Sequence, residues 1–589
     1  MAYRAPVADI ISTMRYAARL DSAIEEGLHG DLSLELNASI LDQAGRFASD
    51  ILAPLNAVGD RVGVSFSDGT VTTPPGWKEA YRAWVEAGWN AVAVPEEHGG
   101  QGLPVLLNAA CVELWASAAL AFSLCPLLTM GGIEALAAHA TDELKARYLD
   151  KAVSGEWPVT MNLTEPAAGS DLSAIRTRAE PAGDGTYHIA GQKIFITYGE
   201  HDLADNILHL VLARLPDALA GTRGISMFLV PKWLPDGTEN DLRCGGIEHK
   251  LGIHGSPTCT MIFGDRGGAV GWLVGEENCG LGCMFTMMNN ARLVVALQGV
   301  AIGERSYQKA LSFARERSQG RAPGTAAGGM SPIVEHRDVQ RNLMTMKALT
   351  DSARAVAYFA ADALDRAQRS SGPAARADAA EEAALLIPVA KAFATDIGVD
   401  VASIGIQVHG GMGFIEETGA AQYLRDARIL PIYEGTNGIQ AIDLAVRKLP
   451  LSGGDTVRRL ISRMRAASER VGATGVPAFG TTTSQLDAAV ACLARATEFM
   501  LRSGSDDVLA SAAPYLRMFG LTQGGALLAE MAAGLCGDVG TGEGDMHRRA
   551  RISLCRFYAE NLLPAVGGLE HSVMAGAGPL SDAPLALAG

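Results

Sequence analysis

The stretch Arg425-Asp426-Ala427-Arg428-Ile429-Leu430-Pro431-Ile432-Tyr433-Glu434, running on into Gly435-Thr436-Asn437-Gly438-Ile439-Gln440, sets one carboxylate in a glycine-relaxed turn between two helix-like segments. Ahead of Glu434, Arg425 and Arg428 stand three apart on one helical face. Behind it, Gly435 and Gly438 let the backbone approach a ligand closely. Such a turn offers backbone N–H groups as well as an acid. A lone Glu before a glycine is more often a solvated helix terminus, so the neighbouring sequence decides what Glu434 is for.

A second stretch, Met161-Asn162-Leu163-Thr164-Glu165-Pro166-Ala167-Ala168-Gly169-Ser170-Asp171, follows an apolar strand-like run with hydroxyls and a small-residue loop, a composition suited to a phosphate-bearing cofactor. A third, Gln407-Val408-His409-Gly410-Gly411-Met412-Gly413-Phe414, precedes the Glu434 turn. Together the three resemble the acyl-CoA dehydrogenase superfamily, whose signatures take the forms T-E-x-x-x-G-S-D and Q-x-x-G-G-x-G-F, the second followed by R-D-A-R and Y-E-G-T. The resemblance covers roughly residues 40 to 450. The flanking regions look like the extensions of large bacterial members, the 3-(methylthio)propanoyl-CoA dehydrogenase type among them.

Composition agrees with a large enzyme. A chain of 589 residues with 48% hydrophobic residues supplies several domain-sized cores. Its nine cysteines include no C-x-x-C pair, so neither a disulfide framework nor a metal site is expected, and reduced thiols suit a cytoplasmic location. Arg4, Asp9 and Arg15 interrupt the first twenty residues, which therefore read as neither signal peptide nor membrane span. A net charge of -16 opposes nucleic-acid binding.

Periodicity divides the chain into an α+β multidomain protein. Residues 1–36 read as an N-terminal extension and 37–158 as a helical domain, with Leu36, Ile40, Leu41, Phe47 and Ile51 as one apolar series and a long apolar run from Leu106 to Ala138. Residues 159–275 carry short strands broken by Gly, Pro and Asp (186–189, 193–197, 207–213, 226–230 and 258–263), which suits a small β-barrel. Helices return over 276–450, interrupted by a low-complexity loop at 321–332. Residues 451–589 read as a C-terminal helical extension with twelve arginines against thirteen acids and no lysine, which fits packing or dimerisation better than membrane docking.

The resemblance implies chemistry and site residues. Desaturating a thioester removes an α-proton while a hydride leaves the β-carbon. No side chain accepts a hydride, and the family supplies FAD. Glu434 matches the catalytic base, with the adjoining N–H polarising the thioester carbonyl. Met161, Leu163 and Thr164 match residues against the flavin ring, and Gly169 and Ser170 match the pyrophosphate and CoA-facing end. Phe195, Ile196 and Thr197 match the strand whose aromatic covers the flavin. Arg317, Gln407, Val408, Gly410 and Gly411 match groups that hold the neighbouring subunit's FAD, and Thr436 matches a further contact, which implies a homodimer or larger oligomer. Asn289 and Arg292 match the substrate-binding helix, with Ser170 and Gly435 also at the acyl-CoA; Arg292 would pair with a phosphate or buttress the pocket.

Some relatives carry the base at the position of Ala291, which here cannot act. Leu124, Cys125, Leu127, Leu128 and Met130, around Pro126, match the wall that sets acyl length, though core packing explains them as well. Departures from the pattern are Gln422 in place of a basic residue, Glu316-Arg317 without the following phenylalanine, His336-Arg337, Gly438, and His254, which reads as a structural loop histidine. The implied activity is acyl-CoA dehydrogenation with electrons passed to an electron-transfer flavoprotein. The alternatives are an acyl-CoA oxidase and a noncatalytic flavoprotein relative.

Overall fold

The computed structural model describes residues 3–324, 329–537 and 543–588, apart from the side chains of Asn289 and Glu543. The low-complexity loop at 321–332 thus lies partly outside the described residues. The N-terminal part comprises α1 (Val7–Tyr16), α2 (Leu20–Glu25), α3 (Leu34–Phe47), α4 (Ala53–Val62), a hairpin of β1 (Ser65–Ser67) and β2 (Thr70–Thr72), α5 (Trp77–Glu86), α6 (Val105–Ala118), α7 (Leu120–His139), α8 (Asp142–Leu144) and α9 (Asp150–Val153). Helix α3 begins where the Ser33 hydroxyl caps it by accepting from the Leu36 N–H at 3.2 Å. The apolar series expected to be one buried stripe is split: Leu41 is fully buried, but Leu36 and Ile51 are exposed. The hairpin was not expected, because its three-residue strands are mostly polar and exposed around the one fully buried residue, Val71. Helix α7 is long and apolar enough to cross a membrane, yet it is mostly buried between α6, α10 and β3 as a core helix.

The middle region is one sheet of β3 (Val159–Asn162), β4 (Arg178–Pro181), β5 (Tyr187–Thr197), β6 (Leu208–Ala213), β7 (Ser226–Pro231), β8 (Leu242–Ile247), β9 (Thr258–Phe263) and β10 (Ala269–Val274). Its order is β3-β6-β7-β10-β5-β9-β8, with β4 beside β5. β3 also packs across onto β5, so the sheet coils over on itself. β6 and β7 are buried at every position and pair with each other along their whole length. The segments read separately as 186–189 and 193–197 are one strand, β5, whose register slips between Lys193 and Ile196. Polar β4 and glycine-containing β8 and β10 had escaped the pattern reading.

The long helices α10 (Gly280–Glu316), α11 (Arg337–Arg369) and α12 (Pro373–His409) form a bundle, followed by α13 (Ala420–Ala427) and α14 (Asn437–Ile442). The C-terminal extension holds α15 (Asp455–Ala473), α16 (Thr482–Arg502), α17 (Ser505–Gly537), α18 (Glu543–Asn561), α19 (Ala565–Met574) and α20 (Ala583–Ala586). α17 lies against α11, α12 and α14. Gly520 is needed there, since a Cβ would sit 2.5 Å from the Phe393 ring.

Both extensions share the bundle's core and one buried charge network. On α11, Arg354 binds Glu113 of α6 and Glu304 of α10, and Asp351 accepts from Arg551 of α18 at 2.5 Å. Asp9 of α1 pairs with Lys347 at 2.7 Å and with Arg551. Elements from both chain ends therefore converge on α11.

Candidate active site

Local chemistry builds the Glu434 turn. Pro431 cannot donate a helical hydrogen bond, so the chain leaves helical continuity after α13. It re-enters a helix where the Thr436 hydroxyl caps α14 by accepting from the Ile439 N–H at 3.2 Å. Upstream, Arg425 grips Asp60 of α4 with two bonds of 2.7 and 2.6 Å. Buried Asp426 accepts from the Ile253 N–H, and burial pushes its carboxyl up to about 6. Gln422 bonds Asn56 of α4 and Asp426, each at 3.2 Å, so this departure from the family pattern serves the same clamp. Arg425 and Arg428 do not act as a pair: Arg428 lies beyond the end of α13 and is exposed.

Glu434 itself adopts φ 54° and Gly435 φ 84°, two successive left-handed residues. A Cβ on Gly435 would lie 2.6 Å from Gln440 Nε2. That amide donates to the Glu434 carbonyl at 3.2 Å, and Lys391 of α12 donates to the Gly435 carbonyl at 2.9 Å. The Glu434 carboxylate accepts no hydrogen bond among the described residues. Burial raises its pKa, opposed by the charges of Lys391 and Arg292. A desolvated carboxylate with its oxygens unengaged can abstract a weakly acidic proton.

Arg292 sits on α10 with its side chain nearly buried and its guanidinium 3.2 Å from Asp443, in the buttressing role rather than on an open surface. Ala291 neighbours it, and Asn289's side chain lies outside the described residues. Asn290 donates to Glu134 of α7, whose carboxyl burial pushes up to about 7. Tyr433 donates to Gln298 of α10. On α7, Leu124, Cys125, Leu127 and Met130 are buried and Leu128 is half-buried.

The second cluster lies on the sheet. Met161, Leu163 and Thr164, on and just after β3, are half-buried, while Phe195 projects 57% exposed from the bulge in β5 at φ 61°. The Ile194 N–H donates to the Thr164 carbonyl at 2.9 Å and joins the two segments. Beneath them the buried Lys193 ammonium bonds Glu165 at 2.8 Å and the Leu163 carbonyl at 3.0 Å. Ile196 is buried and Thr197 half-buried. Gly169 and Ser170 are exposed on the loop that follows.

A third group is open surface. Arg317 ends α10, and Gln407, Gly410 and Gly411 end α12, all exposed, while Val408 is buried beneath them. Met412 and Phe414 add bare apolar surface. His254 uses both ring nitrogens on carbonyls of Asp60 and Lys250 at 3.0 Å, which makes it structural.

Sequence reading missed Lys391, Asn437 and Gln440 around the turn. The signal for Lys391 was a single ammonium inside the apolar run Val389-Ala390-Lys391-Ala392-Phe393.

A helical layer, a coiled sheet and a helical bundle carrying a half-buried carboxylate on a tight turn define this chain's class: it belongs to the acyl-CoA dehydrogenase family of oxidoreductases. Family models match successively at residues 37–156 (acyl-CoA dehydrogenase, N-terminal domain), 160–266 (middle domain), 278–449 (C-terminal domain) and 458–584 (acetyl-CoA dehydrogenase C-terminal like). Among individual proteins, it is 45% identical over 581 residues to the 3-methylmercaptopropionyl-CoA dehydrogenase of Ruegeria pomeroyi, covering 97% of this chain and 98% of that one. A butyryl-CoA dehydrogenase of Syntrophomonas wolfei is 34% identical over 551 residues, 90% of each chain. The fold matches an acyl-CoA dehydrogenase from Bacillus anthracis, crystallised with FAD, at TM-score 0.74 and 20% identity over 92% of this chain and 88% of that one.

Proposed function

We propose that this protein desaturates an acyl-CoA thioester to the trans-2-enoyl-CoA, with Glu434 taking the α-proton; bound FAD would supply the acceptor for the hydride that leaves the β-carbon. The observation that carries this reading is the half-buried Glu434 carboxylate, which accepts no hydrogen bond among the described residues, on a turn held from behind by Lys391 and Gln440.

The residues present suit FAD. Phe195 stands uncovered beside half-buried Met161 and Leu163, and the Thr164 and Thr197 hydroxyls have no protein partner among the described residues. Met161, Leu163, Thr164, Phe195, Ile196 and Thr197 would hold the flavin. Gly169 and Ser170 would meet its pyrophosphate and the CoA. When bound, FAD supplies the electron acceptor that side chains lack. The exposed Arg317, Gln407, Gly410 and Gly411, over Val408, would reach the FAD of a second copy, with Thr436 as a further contact, so the working unit is at least a homodimer. Electrons then pass to an electron-transfer flavoprotein.

The relatives named for 3-methylmercaptopropionyl-CoA and butyryl-CoA favour a short acyl group, including a sulfur-containing one. Asn289, Arg292 and Gly435 would flank the thioester-bearing half of CoA, and the wall from Leu124 to Met130 would close the acyl end. A screen of acyl-CoA substrates by flavin bleaching under anaerobic conditions tests this. Rapid bleaching by short acyl-CoAs supports the proposal, and none across the series overturns it; peroxide release in air would instead indicate an oxidase.

A further inference from the structure

Lys391 is fully buried on α12 among Val389, Ala390, Ala392 and Phe393. An ammonium has three donors and no acceptor, so such a site must offer it oxygens. It donates to two oxygens of the catalytic segment: the Gly435 carbonyl and the Asn437 side-chain oxygen, each at 2.9 Å. Asn437 is in turn fixed to α12, donating to Asp396 at 2.7 Å and Thr395 at 3.0 Å. The turn that carries Glu434 is thus bolted to α12 through Lys391 and Asn437.

We infer that Lys391 is the positioning residue of the base: its bonds hold the left-handed Glu434–Gly435 turn, and its charge favours the ionised form of the half-buried Glu434 carboxylate. This rests on the reading of Glu434 as α-proton base. The charged groups around Lys391 are Glu434 on the turn, Asp396 on its own helix, and Arg292 from α10, the last held by Asp443. From α17, Arg517 acts on Asp396 and pairs with Asp400 at 2.8 Å. Burial brings the Lys391 ammonium down to about 7, resisted by Glu434 and Asp396. The two groups are therefore coupled, and each proton lost or gained at one is felt at the other.

The experiment measures flavin reduction by substrate against pH in wild type, Lys391→Met, Asn437→Ala and Glu434→Gln. Methionine keeps the stem volume and removes a buried charge. It should move the acid limb of the profile upward by about one pH unit, because an opposite charge no longer favours the carboxylate. Asn437→Ala keeps the ammonium and loosens the hold, so the maximal rate should fall several-fold with the limb in place. An unmoved limb in folded Lys391→Met overturns the inference. Should that variant not fold, a wild-type maximal rate in Asn437→Ala overturns it instead, and a reduced rate upholds the hold. Failure of the underlying reading is distinct: Glu434→Gln would then reduce its flavin at the wild-type rate.

Discussion

The Lys193 ammonium lies 2.8 Å from the Glu165 carboxylate with both side chains buried, and this one pair ties the segment that follows β3 to the bulge in β5 that projects Phe195. Glu165 also accepts from the Arg176 N–H, the Thr177 N–H and the Thr177 hydroxyl, so every oxygen is engaged. The T-E pair in the signature thereby divides its work: Thr164 faces outward and Glu165 anchors inward.

Glu165→Gln should leave the Lys193 charge buried and unpaired. The expected cost is about 3 kcal/mol or more of stability, together with weaker FAD retention. Thermal unfolding with flavin absorbance measures both, and an unchanged midpoint would refute the anchoring role.

Glu434→Gln should keep FAD yet lose flavin reduction by roughly two or more orders of magnitude, since the amide preserves volume and removes the base. Stopped-flow bleaching of the flavin reads this directly. In the wild type, burial raises the Glu434 pKa, so reduction should weaken as pH falls through that raised value, while the carboxylate gains its proton.

Arg317→Ala should weaken both FAD binding and self-association, because the exposed end of α10 is proposed to reach across to a second copy. Light scattering with flavin absorbance separates the two effects. A fully active monomer holding stoichiometric FAD would sink the shared-site proposal.

Arg551→Ala should remove one cation from Asp9 and from fully buried Asp351, which keeps Lys347 and Arg354, and cost about 1.5 to 3 kcal/mol of stability, read by thermal unfolding. Deleting residues from Leu451 onward should do more, exposing the faces of α11, α12 and α14 that α17 covers and causing aggregation or altered assembly. A soluble truncation with unchanged assembly would remove the packing role from the extension.

The sequence by itself determined the class of fold, the order of its helical and strand regions, and the identity of the Glu434 turn. Those features rest on local chemistry: Pro431 and Thr436 bracket the turn, Gly435 permits its backbone, and apolar periodicity marks the long helices. The sequence also marked Thr164, just after β3, and Phe195, in β5, because each stands in a short local pattern. It did not reveal β4, β8 and β10, whose polar or glycine-containing strands are held by pairing rather than by propensity.

Only the tertiary structure decided which distant side chains meet. Lys391 lies 44 residues from Gly435, and Arg551 lies 200 residues from Asp351. No local pattern encodes either pairing. Buried charges require partners, and which partner each finds is set by how α11, α12 and α17 pack, a property of the assembled core rather than of any segment within it.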